Sequence, residues 1–291
     1  MIWLLLSIST SSLLMIIFIL FKKYKVNTFY AIVVNYFVCV LIALAFARNS
    51  ELSDYITDWL PLGILLGTFF ISLFFIIAKT TQKMGASVTT VAMKLAYVIP
   101  IILAFSYYGE HVTVVKVLGI SLTILAVIFT SFKNDKYSKS IDYKLLIFPV
   151  IIFLGSGICD SIVQNVSNKY FENGGFEKFN LVLFLTAFLA GFIVSIINNL
   201  KDKRNYFTKR TIIAGIVLGI PNYFSIYFLF KALNIKSWED SFVFPVNNIG
   251  IVIFSTVLAV VIFREKLNKY NLIGLALAVI SILVLNLQNI I

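Results

Sequence analysis

Apolar residues run through this chain in blocks of twenty or so, and polar residues are confined to short intervals between them. A helix needs about 20 mostly apolar residues to cross the hydrocarbon of a bilayer. Ten stretches qualify: 2–21, 28–47, 58–78, 86–108, 113–132, 145–167, 180–199, 211–231, 240–263 and 270–289. The pattern predicts an all-α, polytopic protein of about ten transmembrane helices. The longest intervals, Phe132 to Lys144 and Ser167 to Asn180, leave no room for a soluble domain, so any chemistry belongs within or beside the bilayer. The first block lacks a basic stretch ahead of it and a convincing small-residue cleavage site, so it reads as a retained span.

Composition strengthens this picture. Hydrophobic residues make up 60% of the chain and charged residues only 13%, with a mean hydropathy of +0.98. A soluble domain of 291 residues needs more polar surface than that. Lipid is therefore a partner, and the expected location is the cytoplasmic (inner) membrane, as a monomer or homodimer.

The net charge of +11 does not point to nucleic acid, because Lys and Arg lie in short clusters between apolar blocks. Examples are Lys22-Lys23-Tyr24-Lys25 and Lys201-Asp202-Lys203-Arg204. Duplex binding needs several clustered phosphate contacts, and no such patch remains. The loops after spans 1, 3, 5, 7 and 9 hold 17 basic residues and the opposite loops 6. By the positive-inside rule the basic loops are cytoplasmic and both termini face outward. Trp3, Trp59 and Trp238 stand at the starts of odd-numbered spans, as interfacial anchors do.

The two halves resemble each other. At a separation of 155 residues Glu110 matches Glu265, Gly119 matches Gly274 and Leu122 matches Leu277. At 152 residues Gly63 matches Gly215, Gly67 matches Gly219 and Lys79 matches Lys231. Spans 3 and 8 thus carry corresponding GxxxG motifs, whose flat stripes admit close helix packing. The expected organisation is a first five-helix repeat over 1–132, a basic linker loop over 133–144 and a second five-helix repeat over 145–291. An odd number of spans per repeat inverts the second relative to the first. Inverted repeats place a site near the membrane midplane that rocking opens to alternate sides.

These features carry a family resemblance. Two five-span halves, each with a Glu turn before a Gly-bearing final helix (Gly109-Glu110 with Gly119, Glu265 with Gly274), and Asn168-Lys169-Tyr170 closing span 6, resemble EamA-type permeases of the drug/metabolite transporter superfamily. The resemblance implies secondary transport without ATP, often export of amino acids, other metabolites or toxic compounds. It also implies cytoplasmic termini, against the charge bias.

Ionisable residues in hydrocarbon are costly and mark candidate sites. In span 4, Ser87, Thr90, Lys94 and Tyr97 share one helical face, followed by Pro100, which frees the carbonyl of Ala96. This face reads as the cationic wall of a central cavity suited to carboxylate or phosphate; the alternative is a snorkelling or structurally paired lysine. Span 6 carries the stripe Ser156, Asp160, Gln164 and Ser167. Asp160 either pairs with Lys94, carries a coupling proton or binds an amine. Span 8 contributes Pro221, Asn222, Tyr223, Ser225 and Tyr227, and span 9 Pro245, Asn247 and Asn248, as cavity lining or helix-to-helix hydrogen bonds. Asn35 and Tyr36 are weaker candidates on span 2. Glu110 and Glu265 read as structural carboxylates at helix starts, meeting unpaired N–H groups.

Other chemistries lack their motifs. No HExxH, GxSxG or Walker A sequence is present. His111 is the single histidine, and Cys39 and Cys159 lie on separate spans as buried filler, so no metal or cofactor is expected and the chain is not read as an enzyme. No filter-like loop or charged ring argues for a channel. The expected function is a secondary transporter of a small metabolite, an amino acid or similar. The alternative is a flippase or transporter of a lipid-linked or phosphorylated sugar.

Overall fold

A computed structural model describes residues 2–46, 58–100, 102, 113–131, 143–170, 176–202, 206–233 and 240–287. They form ten α-helices: α1 (Ile2–Lys23), α2 (Thr28–Phe46), α3 (Leu60–Met84), α4 (Ala86–Leu95), α5 (Val114–Ser131), α6 (Tyr143–Tyr170), α7 (Phe176–Asp202), α8 (Lys209–Leu233), α9 (Asp240–Phe263) and α10 (Lys269–Leu287). Seven are long and apolar enough to cross a bilayer, and the remaining three stretches, 86–100, 117–130 and 269–284, are shorter apolar helices. The chain is a multi-pass membrane protein, as its hydropathy requires.

The ends of the helices sort into two groups. Lys22 donates to the Gln82 carbonyl (2.7 Å), Arg210 to the Tyr24 carbonyl (3.2 Å), and Tyr30 to Asn199 (3.1 Å). The Lys83 ammonium sits over the Phe148 ring, and Asn271 donates to the Thr130 carbonyl. These contacts gather the basic loops at one end of the bundle. At the other end Trp3 stacks on Phe228 and Phe46 on Tyr223. Trp59 belongs here too, but it is buried edge-on against Phe179 and does not face lipid as an interfacial anchor. Its indole is therefore part of the packing that fixes the start of α3. Trp238 lies outside the described residues.

Packing follows a regular scheme. α2 packs on α8 and α3 on α7; α1 packs on α8 and α6 on α3; α1 packs on α9 and α6 on α4. Helices α5 and α10 form a tight pair, as do α4 with α9 and α2 with α7. Glycine permits the closest of these approaches. In α3, a Cβ on Gly67 would collide with the Leu183 carbonyl and the Thr186 side chain of α7, whereas one on Gly63 would meet only the Val182 and Phe179 side chains. In α8, a Cβ on Gly215 would lie 2.7 Å from the Ala31 carbonyl and one on Gly219 2.9 Å from the Asn35 carbonyl, both in α2. Both GxxxG motifs thus serve contacts inside the chain.

Span 4 is interrupted. After Leu95 the helix gives way to a turn at Ala96 and Tyr97 and resumes at 98–100. Pro100 has no N–H to give the Ala96 carbonyl, and the Ile99 N–H takes it at 2.9 Å instead, tightening the chain into an i→i+3 turn. The break follows directly on Lys94.

Candidate functional site

Helix α6 has two faces. Ile147, Ile151, Leu154 and Ile158 are exposed and form its lipid side, while Ile152, Ser156, Cys159 and Val166 are buried. Asp160 belongs with the inner set, four residues from Ser156 and about 200° around the helix from Ile158. It nevertheless presents open surface.

Lys94 borders the same region. Every residue of α4 from Ala86 to Ala92 is buried, so this helix has no lipid side there; Met93 and Lys94 are half-buried. Gly157, one turn before Asp160, rests against the interrupted end of α4, where a Cβ would lie 2.8 Å from the Ala96 carbonyl. Lys94 and Asp160 feel each other's charge. Yet no hydrogen bond or ion pair joins them among the described residues. They are opposed charges near one another with no direct bond between them.

A polar cluster joins α2, α8 and α1. The Cys39 thiol donates to the Gly219 carbonyl (3.5 Å), and the Asn222 amide donates to Asn35 Oδ1 (3.1 Å) and lies 3.7 Å from Cys39 Sγ. Ser225 and Ser7 continue this cluster through the Asn222 and Ser225 carbonyls. Both cysteines are buried in the apolar core, as the sequence reading has them, and Cys39 in addition takes part in this hydrogen-bonded cluster. Asn35 is fully buried, and its Nδ2 has no partner in the structure. Asn222→Leu should strand the Asn35 carbonyl as well, lowering stability by about 1–3 kcal/mol. Thermal unfolding of the purified variant in detergent checks this, and an unchanged midpoint would contradict the network.

The remaining predicted residues divide. Ser156 and Tyr223 are buried, the latter among Phe46, Phe184 and Tyr227, and Tyr97 is half-buried beside the break. Thr90 is fully enclosed and receives a hydrogen bond from Ser255 (3.1 Å), joining α4 to α9. That bond and the contact of Glu265 with Ala86 run the two helices antiparallel, which sets Asn247 and Asn248 near the level of Tyr97. Both asparagines are buried, and Asn247 Oδ1 has no partner in the structure. Gln164 lies on α6, but its side chain is outside the described set, as is the whole of Glu110.

Glu265 caps a helix, though not the one its position in the sequence indicates. Asn268 and Asn271 cap α10 reciprocally, each side chain accepting the other's N–H (2.9 and 3.1 Å). The Glu265 carboxylate instead accepts the Ala86 N–H (3.2 Å) at the start of α4. In the turn after α9, Arg264 adopts the left-handed φ of 53°.

Residues 147–287 match the sequence profile of the EamA-like transporter family. The chain is 27% identical over 237 residues to an uncharacterized protein of Haemophilus influenzae, covering 81% of this chain and 79% of that one. A solved crystal structure of 16% identity superposes over 99% of this chain and 97% of its own, with a TM-score of 0.62, which shows a shared fold.

Proposed function

We propose, from the premise that residues 147–287 belong to the EamA-like transporter family, that this chain exports a small zwitterionic metabolite, an amino acid or similar, across the cytoplasmic membrane by alternating access. The profile match over residues 147–287 and the apolar helices support a drug/metabolite-type, multi-pass transporter; substrate, direction and mechanism are the finer part of the proposal. The observation that carries it is the exposure of Asp160 on the face of α6 that also bears buried Ser156, close enough to Lys94 for the two charges to interact. A zwitterion offers its carboxylate to Lys94 and its ammonium to Asp160, and each charge replaces water that the bilayer interior lacks. Tyr97, Asn222, Asn247 and Asn248 supply neutral hydrogen bonds around it. The exchange-symmetric packing of helices 1–5 and 6–10 supports two repeats about a central site.

A second reading, transport of a lipid-linked or phosphorylated sugar, is favoured by one feature. A cleft of about 180 Å³ lined by Leu62, Ser161, Ile162 and Asn165 opens between α3 and α6, next along the helix from Asp160.

Purified protein in liposomes, challenged with amino acids, nucleosides, sugar phosphates and amphipathic amines, separates these readings. Amino-acid counterflow supports the first and sugar-phosphate counterflow the second; transport of none of them rejects both. If Asp160 also carries a coupling proton, Asp160→Asn abolishes pH-gradient-driven uptake and leaves exchange intact. Unaltered gradient dependence excludes that role.

A further inference from the structure

Helices α3 and α4 are separated by a single residue, Gly85, with φ 101° and ψ 166°. Residues with a side chain rarely adopt that φ, so the junction is a point where the chain turns freely only because glycine occupies it. The two sides of the junction are held differently. The end of α3 is tied to its own half: the Gln82 carbonyl accepts from Lys22, and the Gln82 amide donates to Thr28 (2.9 Å). The start of α4 is held across the chain by the Glu265 carboxylate, which accepts the Ala86 N–H and lies so close to Gly85 that a Cβ there would collide with it. The Glu265 backbone is itself anchored, its N–H donating to the Ala259 carbonyl (3.2 Å).

We infer that Glu265 is a positioning residue that latches α4, and with it Lys94, to the second half of the chain at the basic end of the bundle. Release of this contact frees the first turn of α4 at Gly85 while α3 stays in place and the Ser255 to Thr90 bond still joins the helix to α9. A carboxylate suits the task because it meets the positive end of the helix as well as an N–H. Ala86 and Lys94 are eight residues apart, about 12 Å along the helix, so an opening beside Ala86 leads towards Lys94 and Asp160. The inference rests on the alternating-access reading for its purpose, but its geometry is tested without any substrate.

Ser87 supplies the reporter. It lies in the first turn of α4, is 1% exposed, and its hydroxyl has no partner in the structure, so Ser87→Cys removes no contact. In full-length protein in membranes, with Cys39→Ser and Cys159→Ser, maleimide should label this position slowly. Adding Glu265→Gln, which keeps the size and removes the charge, should accelerate labelling about tenfold, and Glu265→Asp, too short to reach, at least as much. A second pair, Ala86→Cys with Glu265→Cys, closes the latch covalently. Oxidation should stop counterflow of whichever substrate the liposome screen identifies, and reduction should restore it. Labelling of the Gln and Asp variants at the parent rate, or full transport by the cross-linked protein, overturns the latch. Accelerated labelling in a protein that carries none of the screened substrates rejects the proposed function and leaves the latch standing.

Discussion

Lys94→Met should reduce transport about a hundredfold or more, with the protein still inserted in the membrane. Methionine keeps the length and apolar stem of lysine and removes only the charge, so packing at the end of α4 is preserved. What disappears is the positive charge near Asp160. Losing one charged partner of an enclosed ligand group typically costs 2–5 kcal/mol, or about thirtyfold to several thousandfold in binding. The substitution also leaves Asp160 without an opposing charge, at a stability cost on the order of 2 kcal/mol. The double variant Lys94→Met with Asp160→Asn should recover the melting midpoint while transport stays absent. Restored transport in the double variant would show that the two residues serve only as a structural pair.

The largest structural effect is expected at Gly67. Gly67→Ala drives a Cβ into the Leu183 carbonyl and Thr186 of α7, and because the obstacle includes backbone the helices must separate. The cost should reach about 3 kcal/mol, the upper part of the overpacking range, seen as loss of the monodisperse species in size-exclusion chromatography. Gly63→Ala, in the same motif, meets a Val182 methyl at 3.2 Å, which a small side-chain shift relieves. It should leave the elution profile unchanged. Equal behaviour of the two variants would contradict the packing of α3 on α7.

The difference between Gly63 and Gly67 shows what a single sequence can convey. GxxxG announces a close helix contact, but it does not name the partner or say which glycine meets backbone. Likewise the stripe Ser87, Thr90, Lys94 and Tyr97 was legible from helical spacing, yet Thr90 bonds Ser255, 165 residues away, and is fully enclosed. Asn222 was singled out as a lone polar residue, and its partner Asn35 lies 187 residues away in α2. Glu265 was legible as a carboxylate at a helix start, and its bond to the Ala86 N–H, 179 residues away, was not.

By itself the sequence determined the membrane class, the succession of apolar helices, the Ala96 carbonyl that Pro100 leaves without its N–H, and the place of Lys94 and Asp160 within apolar blocks. Each follows from local quantities: hydropathy over one helix length, a missing N–H, a charge within an apolar block. Only the tertiary structure decided that Asn222 meets Asn35, that Gly67 meets the backbone of α7, and that Glu265 reaches the start of α4. Those outcomes depend on how helices far apart in the chain are rotated and paired, and apolar side chains suited alike to lipid and to protein leave that choice to the assembled packing.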